Sequence, residues 1–154
     1  GTSFKVYLPA DVGDRAEELA VKERQMPRGR DELVLVVDDE AFVREITRQP
    51  LEASGYRVLL ACDGADALAV YAQHGKEIAV VMTDMMMPVM DGPATIRVLL
   101  KMNSQIKIIA TSGITANDHV AKAAGAGVTH FLPKPYTAET LLKMLQQVLE
   151  IPAA

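Results

Sequence analysis

The chain has 154 residues, 49% of them hydrophobic and 23% charged, with a formal net charge of −4 and a pI near 5.4. That length suits one domain with some left over for a tail or linker, the apolar fraction is too high for a disordered chain, and the acidic balance gives no electrostatic case for nucleic acid or an anionic membrane. One cysteine excludes an internal disulfide, and no apolar run approaches the roughly 18 residues of a bilayer span; with no signal peptide in view, a cytoplasmic location without nucleic-acid or membrane contact is expected.

Residues 1–9 alternate like a half-buried strand, and Pro9 ends it. Residues 14–24 are charge-rich, with Leu19 and Val21 as their only large apolar residues, and suit a short solvated helix or a plain linker. Residues 26–32 are polar and carry Pro27 and Gly29, so the domain boundary is expected there. From Leu33 the pattern becomes regular. Residues 33–37 form a continuous apolar run, the mark of a strand buried on both faces, and it ends at Asp38-Asp39-Glu40. Phe42, Val43, Ile46, Leu51 and Ala53 then follow at helical spacing until Gly55, with Pro50 predicting a kink or local opening.

Residues 57–61 read as strand, and Cys62, at the end of that apolar run, as a small buried hydrophobe. Residues 63–74 read as a helix with Ala67, Leu68 and Tyr71 inward. A second buried run, Ile78-Ala-Val-Val-Met-Thr, leads into Asp84, and Pro88 and Asp91-Gly92 turn the chain at once. Then come a helix over 93–102 with Pro93 in its first turn, a strand over 107–110, a helix over 116–124, a short strand over 129–131 and a closing helix over 137–149. Five strand–helix units in strict alternation predict a parallel sheet covered by helices on both faces. In such sheets the ligand site lies beyond the carboxyl ends of the strands.

Those ends carry Asp38 and Asp39, Asp84, Thr111-Ser112-Gly113, and Pro133-Lys134-Pro135. Taken singly, the acids would cap helices, Ser112 would be a turn residue and Lys134 a solvated charge. Taken together, they form a site. Three crowded carboxylates repel one another and need a cation, and an all-oxygen set of few carboxylates suits Mg²⁺. Lys134 adds a point charge for a phosphoryl oxygen, and Ser112 a hydroxyl donor. One carboxylate is thereby placed as a nucleophile, with metal and lysine neutralising the arriving phosphoryl charge.

Val36-Val37-Asp38-Asp39-Glu40, Asp84-Met-Met-Met-Pro88-Val-Met-Asp91-Gly92, Thr111-Ser112-Gly113 and Lys134-Pro135 resemble the motifs of the receiver domain of two-component response regulators. The resemblance implies a flavodoxin-like (βα)5 doubly wound parallel sheet of strand order 2-1-3-4-5. It implies that Asp84 accepts a phosphoryl group from phosphohistidine. Asp39, Asp84 and the Met86 carbonyl would hold Mg²⁺, with Asp38 acting mainly through a metal-bound water. Ser112 and Phe131 would be a switch pair, and Lys134 would precede a cis peptide bond at Pro135. Residues 1–9 are similar to the closing strand of histidine-kinase ATP-binding domains. The division expected is that closing strand, a linker over 10–32, the receiver over 33–150 and a tail over 151–154, the receiver being the last domain of a hybrid sensor histidine kinase.

A chain so divided leaves no room for an effector domain. Its phosphoryl signal would pass to a histidine phosphotransfer domain or to a kinase core, in cis or in trans. By itself the domain would be a phosphoacceptor with at most slow self-dephosphorylation. Two other readings stand beside this one: a stand-alone single-domain response regulator, and a phosphohydrolase with an Asp nucleophile. The hydrolase would want an acid two residues beyond the nucleophile, where this chain has Met86.

Overall fold

The computed structural model describes residues 12–113, 123 and 125–152. The strand expected over 1–9 lies outside the described residues, as does the helix expected over 116–124 except for its residue 123. A leading helix, α1 (Val12–Gln25), occupies the charge-rich stretch, and its residues 15–21 are exposed. Strands β1 (Leu33–Val37), β2 (Arg57–Ala61), β3 (Ile78–Asp84), β4 (Lys107–Ser112) and β5 (His130–Pro133) form one sheet. All neighbours pair in parallel, in the order 2-1-3-4-5. Helices α2 (Ala41–Ala53), α3 (Gly64–His74), α4 (Gly92–Met102) and α5 (Ala138–Glu150) cover it. This is the doubly wound, flavodoxin-like architecture. Among the described residues no helix is long and apolar enough to cross a membrane.

The side-chain alternation of a strand explains the two layers. Along β1, Leu33, Leu35 and Val37 enter one core with Ala67 and Tyr71 of α3 and Ile96 and Leu99 of α4. Val34 and Val36 enter the other with Leu51 of α2 and Leu141, Leu142, Leu145 and Val148 of α5. Burial on both sides explains why the run has no polar member. Each such side chain contributes about 1.5–3 kcal/mol when fully buried. The pairing of β1 with β3 slips by one residue, since Leu33 faces Ile78 while Val34 faces Val80. A one-residue slip reverses every side chain beyond it. The extra residue, Ala79, therefore sets the face on which Asp84 arrives at the edge, level with Thr111 of β4.

One expectation needs correction, that of a buried Cys62, and α2 adds two details. Phe42 and Ile46 do not face inward: they are 74% and 48% exposed, and the buried face of α2 carries Thr47 and Leu51 instead. Cys62 is exposed rather than buried, because β2 ends at Ala61 and the Cys62 N–H bonds the Asp66 carboxylate at 2.9 Å. Pro50 lies inside α2, as expected, and the helix continues past it to Ala53. It stands in the last turn, so the donor it lacks would have served only the carbonyl of exposed Ile46.

After α2 the chain reverses at Gly55, whose φ of +90° suits glycine. There the Gly29 N–H bonds the Ser54 carbonyl at 2.7 Å, and the Asp31 N–H the Gly55 carbonyl at 3.0 Å. The segment just before β1 is thus part of the folded body.

Candidate functional site

The topology brings the chemistry to one edge. Asp38 follows β1 directly, Asp84 is the last residue of β3, Ser112 the last of β4, and Lys134 follows β5. The strands are parallel, so all four ends lie together. Asp38 and Asp84 are 3% and 5% exposed, while Asp39 is open to solvent. One carboxylate oxygen from each of the three lies within 4.8 Å of the others.

Each acid is held differently. The Lys134 ammonium donates to Asp38 Oδ2 at 2.6 Å and stands 3.5 Å from Asp84 Oδ2. Asp38 Oδ1 accepts the Glu40 N–H at 2.9 Å, and Arg44 donates to the Asp38 carbonyl at 2.6 Å. Asp84 Oδ1 accepts only a longer bond, 3.3 Å, from the Met86 N–H. Burial pushes the Asp84 carboxyl above the usual range, since the Lys134 charge and the Met86 amide offset it only in part and Asp38 adds to it. Burial works against the charge on Lys134, but the Asp38 bond and the two carboxylates outweigh it and hold the ammonium above its ordinary range. The lysine is shared unequally, and Asp84 is the less satisfied partner.

Nearby polar groups complete the picture. The Ser112 hydroxyl is buried and, among the described residues, has no hydrogen-bond partner. It stands next to Thr111, which pairs with Asp84, and can donate to an acceptor at that edge. Phe131 is half-buried in β5 and packs on the α3–α4 side of the sheet. The Lys134–Pro135 peptide bond is cis. Asp91 and Gly92 are architectural: the Asp91 carboxylate caps α4 through the Ala94 N–H at 2.8 Å. A Cβ on Gly92 would meet the Asp84 carbonyl oxygen at 2.5 Å.

Sequence reasoning overlooked Arg44, Thr47 and Tyr136. Arg44 holds the Asp38 backbone, and the Tyr136 hydroxyl meets that of Thr47 at 3.0 Å. Tyr136 carried a signal only in lying two residues beyond Lys134, and Thr47 none, being a polar residue inside an amphipathic helix.

The donor set fits a small divalent cation. All three side chains offer oxygen, which suits hard cations, and open Asp39 beside buried Asp38 and Asp84 leaves a solvent side for retained waters. With that charge balanced, the edge has the parts for phosphoryl transfer to a carboxylate: an oxygen nucleophile, a fixed ammonium and a hydroxyl donor.

Comparison with known proteins agrees with this geometry. The family described as "Response regulator receiver domain" matches residues 34–146. The sensor kinase CckA of Brucella abortus is 34% identical over 157 aligned positions, covering 97% of this chain but 17% of the kinase. The response regulator MprA of Mycobacterium sp. (strain KMS) is 39% identical over 119 positions, covering 75% of this chain and 50% of the regulator. The chain thus spans about a sixth of the one relative and half of the other. Among solved structures, the chemotaxis protein CheY4 of Vibrio cholerae superposes with a TM-score of 0.72 at 33% identity, over 76% of this chain and 98% of that one. The chain belongs to the response regulator receiver domain family and is a receiver domain of two-component signalling.

Proposed function

We propose that Asp84 is the phosphoacceptor and that Mg²⁺ is the cation of the acidic cluster. The observation that carries this is Asp84 itself: a nearly buried carboxylate, incompletely satisfied, with a lysine at 3.5 Å, beside the strand end whose Ser112 hydroxyl has no partner among the described residues. In the transfer, an Asp84 oxygen forms a bond to phosphorus while the P–N bond of a phosphohistidine breaks. The electron pair returns to the ring nitrogen, and an imidazole protonated on its other nitrogen leaves neutral. Lys134 exchanges Asp38 for a phosphoryl oxygen, and Ser112 donates to another. Asp39, Asp84 and the Met86 carbonyl would hold the ion, and Asp38 would act mainly through a water on it. Bound Mg²⁺ supplies positive charge against the phosphoryl oxygens. A phosphoryl group adds roughly −1.5 to −2 charges, which draws Ser112 toward Asp84 and opens space for the Phe131 ring. That rearrangement is the output.

The chain works in the cytoplasm, as the receiver of a hybrid sensor histidine kinase. Its partners are a kinase core, in cis or in trans, and a histidine phosphotransfer domain, without direct binding to nucleic acid or membrane. What supports the hybrid is the extent of likeness. The kinase relative matches 97% of the chain, including the stretch before β1, while the regulator matches 75%. Residues 1–9 would then be the closing strand of the ATP-binding domain, 10–32 a linker, 33–150 the receiver and 151–154 a tail. The test is transfer of labelled phosphate from the purified kinase core to this chain, and onward to phosphotransfer domains. Transfer to Asp84 from that core supports the hybrid. A chain that takes label at Asp84 only from unrelated donors is a stand-alone regulator.

A further inference from the structure

The loop that carries Lys134 is fastened at three points. The Lys134 N–H bonds the Ser112 carbonyl at 2.8 Å, its ammonium bonds Asp38 at 2.6 Å, and the Tyr136 hydroxyl bonds Thr47 at 3.0 Å. The third contact joins distant parts of the chain. Thr47 is 1% exposed on the inner face of α2, the helix that begins three residues after Asp38, and the Tyr136 ring packs into the core between α2 and α5. A threonine in a helix interior otherwise turns its hydroxyl back onto its own helix or leaves it unpaired, and either is unfavourable. Here it has a partner two residues from the lysine.

The three contacts do not survive phosphorylation equally. A phosphoryl group on Asp84 competes for the ammonium, so the Lys134–Asp38 contact is the one surrendered. The hydroxyl pair takes no part in that exchange. We propose that Thr47 and Tyr136 are positioning residues for phosphoryl transfer, holding the Lys134 loop against α2 so that the ammonium passes from Asp38 to a phosphoryl oxygen without the loop shifting. This rests on Asp84 being the phosphoacceptor. Neither hydroxyl touches the donor or the reacting atoms, and both act through Lys134. An ångström of misplacement in such a group is enough to cost one to two orders of magnitude in rate, roughly.

The experiment follows the phosphorylation rate with acetyl phosphate and saturating Mg²⁺ by intact mass. An Asp84 oxygen bonds phosphorus, the P–O bond breaks, and acetate leaves with the electron pair. Tyr136→Phe and Thr47→Val should each slow this about tenfold. Thr47→Ser, which keeps the hydroxyl, should react at nearly the wild-type rate. The double variant Thr47→Val with Tyr136→Phe should be no slower than either single one, because one bond is lost once. Mg²⁺ affinity, read from NMR titration, should stay unchanged in all four. A wild-type rate for Tyr136→Phe overturns the proposal. So does a Thr47→Ser variant as slow as Thr47→Val, or a loss of Mg²⁺ affinity parallel to the loss of rate, which would indicate general loosening. If wild type is labelled at Asp84 and Tyr136→Phe is equally fast, only this proposal fails. If wild type takes no label at Asp84, the phosphoacceptor assignment itself has failed.

Discussion

Replacing Lys134 with methionine, which keeps the reach of the side chain and removes its charge, probes the electrostatic balance of the site. The three carboxylate oxygens lie within 4.8 Å of one another, so each pair repels by at least about 3.5 kcal/mol in an effective dielectric near 20. On the same scale Lys134 attracts Asp38 at 2.6 Å and Asp84 at 3.5 Å by about 6 and about 5 kcal/mol. Two attractions totalling about 11 kcal/mol thus stand against three repulsions of about 10. Without the lysine, what opposes the repulsion is one amide bond at each buried acid, from Glu40 to Asp38 and from Met86 to Asp84, and water at the exposed Asp39.

Stranding a buried charge costs about 3 kcal/mol or more, about 10 °C in Tm for a domain of this size. The pH dependence has a definite sign. Asp84 already lies above its ordinary range through burial, and losing Lys134 moves it further up. A carboxyl raised in the folded state loses stability as pH rises through its folded value. The gap between wild type and Lys134→Met should therefore be widest at alkaline pH and narrow on acidification. Mg²⁺ should stabilise the variant more than the wild type, because a competing cation has gone and binding to the folded state alone adds to stability. Thermal unfolding across a pH series, in chelator and in Mg²⁺, measures all three effects. Equal Tm values in chelator at the alkaline end would refute the balance, as would a gap that widens on acidification.

Asp39→Ala should weaken Mg²⁺ binding more than Asp38→Ala in NMR titrations, because Asp38 is already engaged by Lys134 and the Glu40 N–H while Asp39 is open; the reverse order would exchange their roles. Gly92→Ala should destabilise by about 2–3 kcal/mol in urea unfolding, since its methyl would meet the Asp84 carbonyl at 2.5 Å and Met85 Cα at 2.6 Å, both backbone atoms that cannot turn aside.

The site was legible in the sequence because of how a parallel sheet is buried. Strands covered on both faces read as nearly unbroken apolar runs, so the polar residues that close each run mark the carboxyl edge. Asp38, Asp84 and Ser112 were found that way, and Lys134 lies one residue past Pro133, the end of β5. What remained hidden depends on contacts that spacing does not encode. On α2, Phe42 and Ile46 form a periodic pair but lie outward, while Thr47 is buried because its hydroxyl meets a tyrosine 89 positions away. Cys62 closes an apolar run yet turns out, since Asp66 takes its N–H from the ladder. The extra residue at Ala79 leaves no mark, because Ile78 to Val81 are apolar whichever face each takes.

The most direct test of the central claim is exposure of wild type and Asp84→Asn to acetyl phosphate and Mg²⁺, followed by intact mass and by phosphate release. Wild type should gain one phosphoryl group per chain, sensitive to base and to hydroxylamine, and none in chelator. Asp84→Asn should fold and gain none, because an amide is not a nucleophile of this kind. Equal incorporation by the variant, or continuous release of phosphate at many turnovers per chain without accumulation, would contradict a phosphoacceptor at Asp84.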